Sequence, residues 1–251
     1  MSEIRHLPLP SAMTERRAGG DVIDRHVHNG HQLIYVTGGV LAIQTDRGAW
    51  VASVQSALWV PSGIWHEHRF YGHCEFHTVG FETLPPHLPE DMPAIITVEG
   101  LVRELIVAIC APDAPSAEIP AMRTLLSARL RRGLAQPLML PNATDPRLVA
   151  ACAVVNSDLS RPRTLGQLAA EVNTSERTLS RLFRSEFEMT YPQWRTKIRV
   201  FAAMVLLADG ATVTHTAHAC GWATASAFVD AFRRAMGTTP GIHRLCAAPI
   251  R

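Results

Sequence analysis

The sequence predicts a two-domain protein: an all-β barrel with appended helices, followed by an all-α double helix-turn-helix. Three observations predict it. From about Gly20 to Glu82 the chain is a series of short runs rich in Val, Ile, Trp and Phe, cut by Gly and Pro. Many short strands without helices suggest a small barrel or sandwich. Beyond Pro146 almost every segment has helical periodicity. Within that helical region a single pattern occurs twice: TLGQLAAEVNTSERTLSRLF from Thr164 and TVTHTAHACGWATASAFVDAF from Thr212. Leu165, Leu168, Ala169 and Val172 find partners 48 positions later at Val213, Thr216, Ala217 and Cys220. Phe183-Arg184 pairs with Phe232-Arg233 after a shift of one.

The strands expected in the first domain are Gln32–Thr37, Val40–Thr45, Ala49–Val54, Ala57–Val60 and Cys74–Phe81. A proline-rich stretch, Leu84–Pro93, follows, then helical patterns over Val98–Cys110 and Ile119–Leu134. Pro137–Pro146 is a second break, with two prolines beside Asn142 and Asp145. The expected division is 1–93 for the barrel, 94–136 for a helical dimerisation segment, 137–145 for a linker and 146–251 for the second domain. The apolar stripe Leu101, Leu105, Val107 and Ile109, near Leu125–Leu130, is either a homodimer contact or a face packed on the barrel.

The 251 residues carry a net charge of +2, unevenly placed. From Asp145 onward 13 basic residues face 8 acidic ones, 13 − 8 = +5, while the rest has 11 − 14 = −3. Only the second domain suits a polyanion. Lys197 is the single lysine, and the arginine fork matches phosphate and guanine edges. The five cysteines are scattered, with no CxxC, which argues against a disulfide framework or a cysteine zinc site. No apolar run reaches membrane-spanning length, and MSEIRHLPLP lacks the stretch of a signal peptide, so a cytoplasmic location is expected.

In the first head Thr164 and Gln167 form a capping box, and Ser175 caps the next helix. Leu179, Leu182 and Phe183 face inward there, which turns Arg177, Ser180, Arg181 and Arg184 outward. An outward arginine face on a helix docked against a capped partner suits a major groove. Arg177 and Arg181 are expected to read bases, and Arg184 to meet phosphate. In the second head Thr212 is a cap, Gly221 marks the turn, and Ala225, Ser226 and Asp230 are expected outward. That face is poorer in donors and should specify less. Arg233 and Arg234 remain as phosphate anchors. The intervening Arg195–Asp209 reads as a helix holding both heads on one face of the duplex.

These residues carry a resemblance. Thr164–Arg244, above all the closing AFRRAMGTTPGIHR from Ala231, resembles the DNA-binding domain of AraC/XylS-type transcriptional regulators. The resemblance implies a seven-helix domain bound to promoter DNA, with dimerisation or control through an N-terminal domain. Glu188 stands where the family usually has a C-capping glycine.

Nine of the twelve histidines precede residue 90. Gly20-x5-His26-Val-His28-x3-Gln32-x6-Gly39 and Pro61-x-Gly63-x2-His66 resemble the two cupin motifs. Three departures stand out: Gln32 for the usual glutamate, Gln55 for a glycine and Phe70 for an asparagine. In a strand His26 and His28 share a face and can meet His66 across a barrel. Three imidazoles plus the Gln32 oxygen make a candidate site for one divalent Zn, Ni, Cu or Fe ion, without the carboxylate of a 2-His-1-carboxylate set. His31, His68, His73 and His77 are further candidates whose facing the sequence leaves open. The alternatives are a metal-free pocket for an organic effector and a domain that only dimerises. Trp50, Trp59, Trp65 and Phe76 are pocket lining or plain core.

The expectation is a transcription factor, not an enzyme, in which a small molecule or metal in the barrel alters how the heads are presented. The other reading is a metal-dependent cupin oxygenase or isomerase with a DNA-binding appendage.

Overall fold

The computed structural model describes residues 4–131 and 138–247. The N-terminal half runs β1 (Arg5–His6), β2 (Ala12–Arg17), β3 (Val22–Val27), β4 (His31–Val36), β5 (Val40–Gln44), β6 (Gly48–Ala52), β7 (Ser56–Val60), β8 (His66–Tyr71), β9 (Cys74–Phe81) and β10 (Ala94–Thr97). Then come α1 (Gly100–Cys110), α2 (Ile119–Arg129) and β11 (Met139–Pro141). Seven helices follow: α3 (Pro146–Ser157), α4 (Leu165–Glu171), α5 (Glu176–Phe187), α6 (Tyr191–Ala208), α7 (Val213–Ala219), α8 (Ala225–Met236) and α9 (Pro240–Ala247).

Two sheets face each other, one ordered β1-β3-β8-β5-β6-β11 and one β10-β7-β4-β9-β2. Side-chain alternation sorts their residues into layers. Ile34, Val36, Leu58, Val60 and Phe76 of the second sheet meet Leu41, Ile43, Trp50 and Phe70 of the first inside the barrel. On the second sheet's outer face Leu33, Tyr35, Ala57, Trp59 and Val79 lie under α1 and α2. On the first sheet's outer face Val40, Ala42 and Val51, with Leu138, pack against α6 and the second head. Both faces of the central strands are thereby covered. All six residues of β4 are buried, and its last four, Leu33–Val36, read as an unbroken apolar run.

The five expected strands are present. β2 (AMTERR) and β8 (HEHRFY) carry no apolar alternation, and their pairing partners decide their conformation. The 94–136 segment, expected as helical, begins with β10, which pairs with β7. The 137–145 span, expected as a linker, contains β11, which pairs with β6. The helix expected to reach Leu134 ends at Arg129, because Leu130 turns extended; residues 132–134 lie outside the described residues. The stripe proposed for dimerisation divides. Val102, Leu105, Ile106 and Ile109 fall at i, i+3, i+4 and i+7 and pack on the barrel. Leu101 and Leu125 stay exposed.

The helical domain hangs on α6. Its N-terminal turn gives Tyr191 and Trp194 to the first head's core, with Leu148, Leu168, Leu179 and Phe183. Its C-terminal half gives Val200, Ala203, Met204 and Leu207 to the second head's core, with Phe228 and Phe232. At 18 residues it starts four positions before the helix expected from the sequence. A Thr190/Gln193 capping box fixes that start. The connection from the barrel is tied at both ends. Asn142 donates to the carbonyls of Thr45 and Asp46, and the Glu186 carboxylate accepts from the backbone of Thr144 and Asp145.

Candidate functional sites: a helical recognition face and a buried histidine cluster

The caps of the first head are those the sequence gives away. Thr164 and Gln167 form the capping box, and Ser175 accepts from the Thr178 amide. With Leu179, Leu182 and Phe183 buried, α5 turns Arg177, Arg181 and Arg184 to solvent, with Ser180 half-buried between them. These four, Thr178 and Ser185 line one polar cleft. Glu188 ends α5 in the left-handed region at φ 54°, the role Gly237 plays for α8 at φ 73°. A non-glycine there costs about 1–2 kcal/mol.

On α8, Ser226, Asp230, Arg233 and Arg234 are exposed. Ala225 is not on that outer face. It is half-buried against the second head's core, and Ala227 takes the exposed place. The reason is spacing: Thr224 is the N-cap, so Ala225 shares a stripe with Phe228 and Phe232 at i+3 and i+7. Gly221 at φ 79° makes the turn, and a Cβ there would meet the Leu159 carbonyl at 2.4 Å. The Arg199 guanidinium lies 3.8 Å from the centre of the neighbouring Trp222 ring and donates to the Cys220 carbonyl, so α6 braces this turn.

Inside the barrel the expected ligand residues do converge. His26 lies near the end of β3 and His28 just past it, and His26 sits opposite His66 at the start of β8. All three and Gln32 are buried. The imidazole centres lie 4.3 Å (His26–His66), 4.8 Å (His26–His28) and 5.4 Å (His28–His66) apart. Each of the three Nδ1 atoms faces a backbone carbonyl: Asp24 at 2.7 Å, Leu7 at 2.8 Å and Ile64 at 2.9 Å. A carbonyl can only accept, so each Nδ1 is the protonated nitrogen and each Nε2 keeps its lone pair. Gln32 donates to Thr78 and points Oε1 at His66 Nε2, 3.0 Å away.

His68, whose facing the sequence left open, belongs to this cluster. β8 buries alternate residues His66, His68 and Phe70. Neither ring nitrogen of His68 has a hydrogen-bond partner, a cost of about 1–3 kcal/mol per buried atom left unmet. The signal for it was the period of two from His66. Of the other extra candidates, His31 stacks on Trp59 and accepts from the Ser62 amide, and His77 bonds Thr14 and Thr37. Trp50, Trp59 and Phe76 are core, while Trp65 is half-buried under Arg25.

Residues 168–244 match the family described as a helix-turn-helix domain, and residues 9–123 match the AraC-like ligand binding domain. The chain is built as an AraC-type transcriptional regulator. It is 27% identical over 219 residues to the HTH-type transcriptional regulator NimR of Escherichia coli, across 86% of this chain and 80% of that one. It is 32% identical over 106 residues to the regulator GadX of Escherichia coli, across 41% of this chain and 38% of that one. A solved DNA-binding transcriptional dual regulator from Escherichia coli K-12 is 30% identical and superposes with a TM-score of 0.39, over 42% of this chain and 96% of that one. Among the described residues, no helix is long and apolar enough to cross a membrane.

Burial governs the titration of this AraC-type regulator. Desolvation lowers the pKa of His26 and His28, pushes His66 down to about 3, and holds His68 well below the ordinary value. The cysteine thiols move the other way: burial raises Cys74, Cys110 and Cys220 to about 11. In the second head burial takes His243 down to about 4, its ring set against Phe232 and its Nε2 unpartnered. The unfolded chain protonates His243 near pH 6.5 and the folded chain only near 4. Stability is therefore retained above pH 6.5 and lost as pH falls from there towards 4, by up to about 3 kcal/mol from this residue. His243→Phe should flatten the fall of the urea midpoint across that range; parallel curves for variant and wild type would refute it.

Proposed function

We propose that this regulator binds promoter DNA through α5 and α8, and that its barrel reads a divalent first-row transition ion, Zn, Ni, Cu or Fe, held through His26, His28 and His66 with Gln32 beside them. One observation carries the metal reading: three buried imidazoles are oriented by Nδ1 bonds to backbone carbonyls, and their Nε2 lone pairs are left over. That is the outer-shell arrangement metal-bound histidines use. The Gln32 contact supports it. His66 Nε2 and Gln32 Oε1 are both acceptors, and at 3.0 Å no proton lies between them while the imidazole is neutral. A cation between them resolves the clash. Without one, the amide turns over and donates its NH2 to His66. The ion would supply a Lewis-acidic centre for an effector to meet; the residues hold it and exclude water. We read the barrel as a sensor and not a catalyst. An organic effector alone is the second reading, favoured by an open cleft of about 1060 Å³ lined by Leu7, Asn29, Phe81, Pro86 and Arg123.

At the DNA, Arg177 and Arg181 read bases from the first head and Arg184 meets phosphate. In the second head Ser226 and Asp230 face the groove, Ala225 contributes packing, and Arg233 and Arg234 anchor the backbone. The coupling route is short. β8 carries His66 on its inner face, and on its outer face Tyr71 meets Phe201 of α6 edge to face at 5.6 Å. The working unit is a homodimer through the exposed Leu101 and Leu125 side of α1 and α2.

Arg181→Ala should cost about 1–3 kcal/mol in operator binding and relax preference at one base, whereas Arg234→Ala should weaken all sequences alike. Binding titrations on operator and random DNA check this, and equal losses for both variants on both DNAs would overturn the roles. His26→Ala and His66→Ala should each abolish stoichiometric metal, read by elemental analysis of protein purified under mild conditions. Variants that still carry one ion per chain would defeat the site. Sedimentation at micromolar concentration should give a dimer; a monomer there rejects the dimeric unit.

A further inference from the structure

One more nitrogen source faces the space between His26 and His66. His68 is 1% exposed, and both of its ring nitrogens lack partners. Its ring centre lies 5.1 Å from His66 and 5.2 Å from His26. Ligand nitrogens of His26, His66 and His68 all lie within 4.8 Å of one another, a compact set that does not include His28. On the far side Phe70 and Phe76 stand edge-on to His68, at 6.1 and 5.8 Å. A barrel that needed only volume there would be filled by a third phenylalanine with no unmet polar atom. A neutral imidazole offers one N–H and one lone pair, and among the described residues no group answers either.

We propose that His68 is a ligand of the barrel ion, a neutral nitrogen donor supplied where a carboxylate is missing, so that His26, His66 and His68 form the inner set. This rests on the metal reading given above. Gln32, whose Oε1 faces His66, and His28 keep the places given them above, at the edge of that compact set. A centre of neutral imidazoles suits Zn, Cu or Ni and disfavours Mg, Ca and Mn, which take oxygen ligands.

The test is a zinc titration of the metal-free full chain, wild type against His68→Phe, with the melting temperature of each metal-free form as the fold control. The wild type is also labelled with 15N-histidine and compared by NMR before and after zinc. The variant is expected to lose at least about 100-fold in zinc affinity, beyond the 10–100-fold that an outer-shell partner costs. Its metal-free form should melt no lower than the wild type, and the His68 ring nitrogens of the wild type should shift on loading. Unchanged affinity in the variant, or unshifted His68 signals in the loaded wild type, overturns the His68 role and leaves the metal site standing. A wild type that takes up no zinc, nickel or copper overturns both. Should the variant fail to fold, the wild-type spectra decide alone.

Discussion

Everything in this molecule depends on α6 being walled in at both ends. Its first turns form one side of the first head through Tyr191 and Trp194. Its last turns share a single apolar cluster with the second head and with Val40, Ala42 and Val51 of the barrel. A helix held in this way cannot rotate or slide without uncovering apolar surface on two neighbours at once, at about 25 cal/mol per Å². The spacing of the two heads is therefore set by one rigid rod, and the barrel is packed against that rod. Gly72, at φ 69° in the turn after β8, shows how close the approach is: a Cβ there would stand 2.8 Å from the Ala208 carbonyl.

The same arrangement explains how a buried cluster of histidines can matter to a distant helix. The first sheet has two covered faces. One face looks into the barrel, where His66 and His68 stand, and the other looks at α6. A strand displaced by about an ångström on its inner side is displaced on its outer side too, because a close-packed interior has no slack to absorb it. Any ligand that prefers one position of β8 biases the helix behind it by no more than its difference in affinity for the two positions.

Much of this was legible in the sequence, and the reasons differ between the two domains. The helical domain announces itself locally. Thr164, Gln167 and Ser175 are caps whose chemistry acts within one turn, and the repeat doubles every such signal. The misplacement of Ala225 came from a helix start that small residues leave ambiguous; Thr224 settles it as the cap. The barrel is legible only where a strand is apolar. β2, β8 and β11 are held by partners distant in sequence, and nothing in AMTERR or HEHRFY signals that. His26, His28, Gln32 and His66 were found through motif spacing. His68 fell outside the motif, and its inward orientation followed only once β8 was known to be a strand. The division of the α1 stripe, with Leu105 inward and Leu101 outward, needed the position of the second sheet.

The chain re-enters the barrel as β11 just before it becomes a DNA-binding domain, and this limits what regulation can look like. Only residues 142–145 separate Pro141 from Pro146, five steps of chain and about 18 Å at most when extended. That short span is itself tied, at Asn142 to the barrel and at Thr144 and Asp145 to Glu186 of α5. A leash of this length excludes release of the heads as free-swinging bodies while β11 remains zipped into its sheet. The permitted motions are a small hinge at four residues or the peeling of one three-residue edge strand.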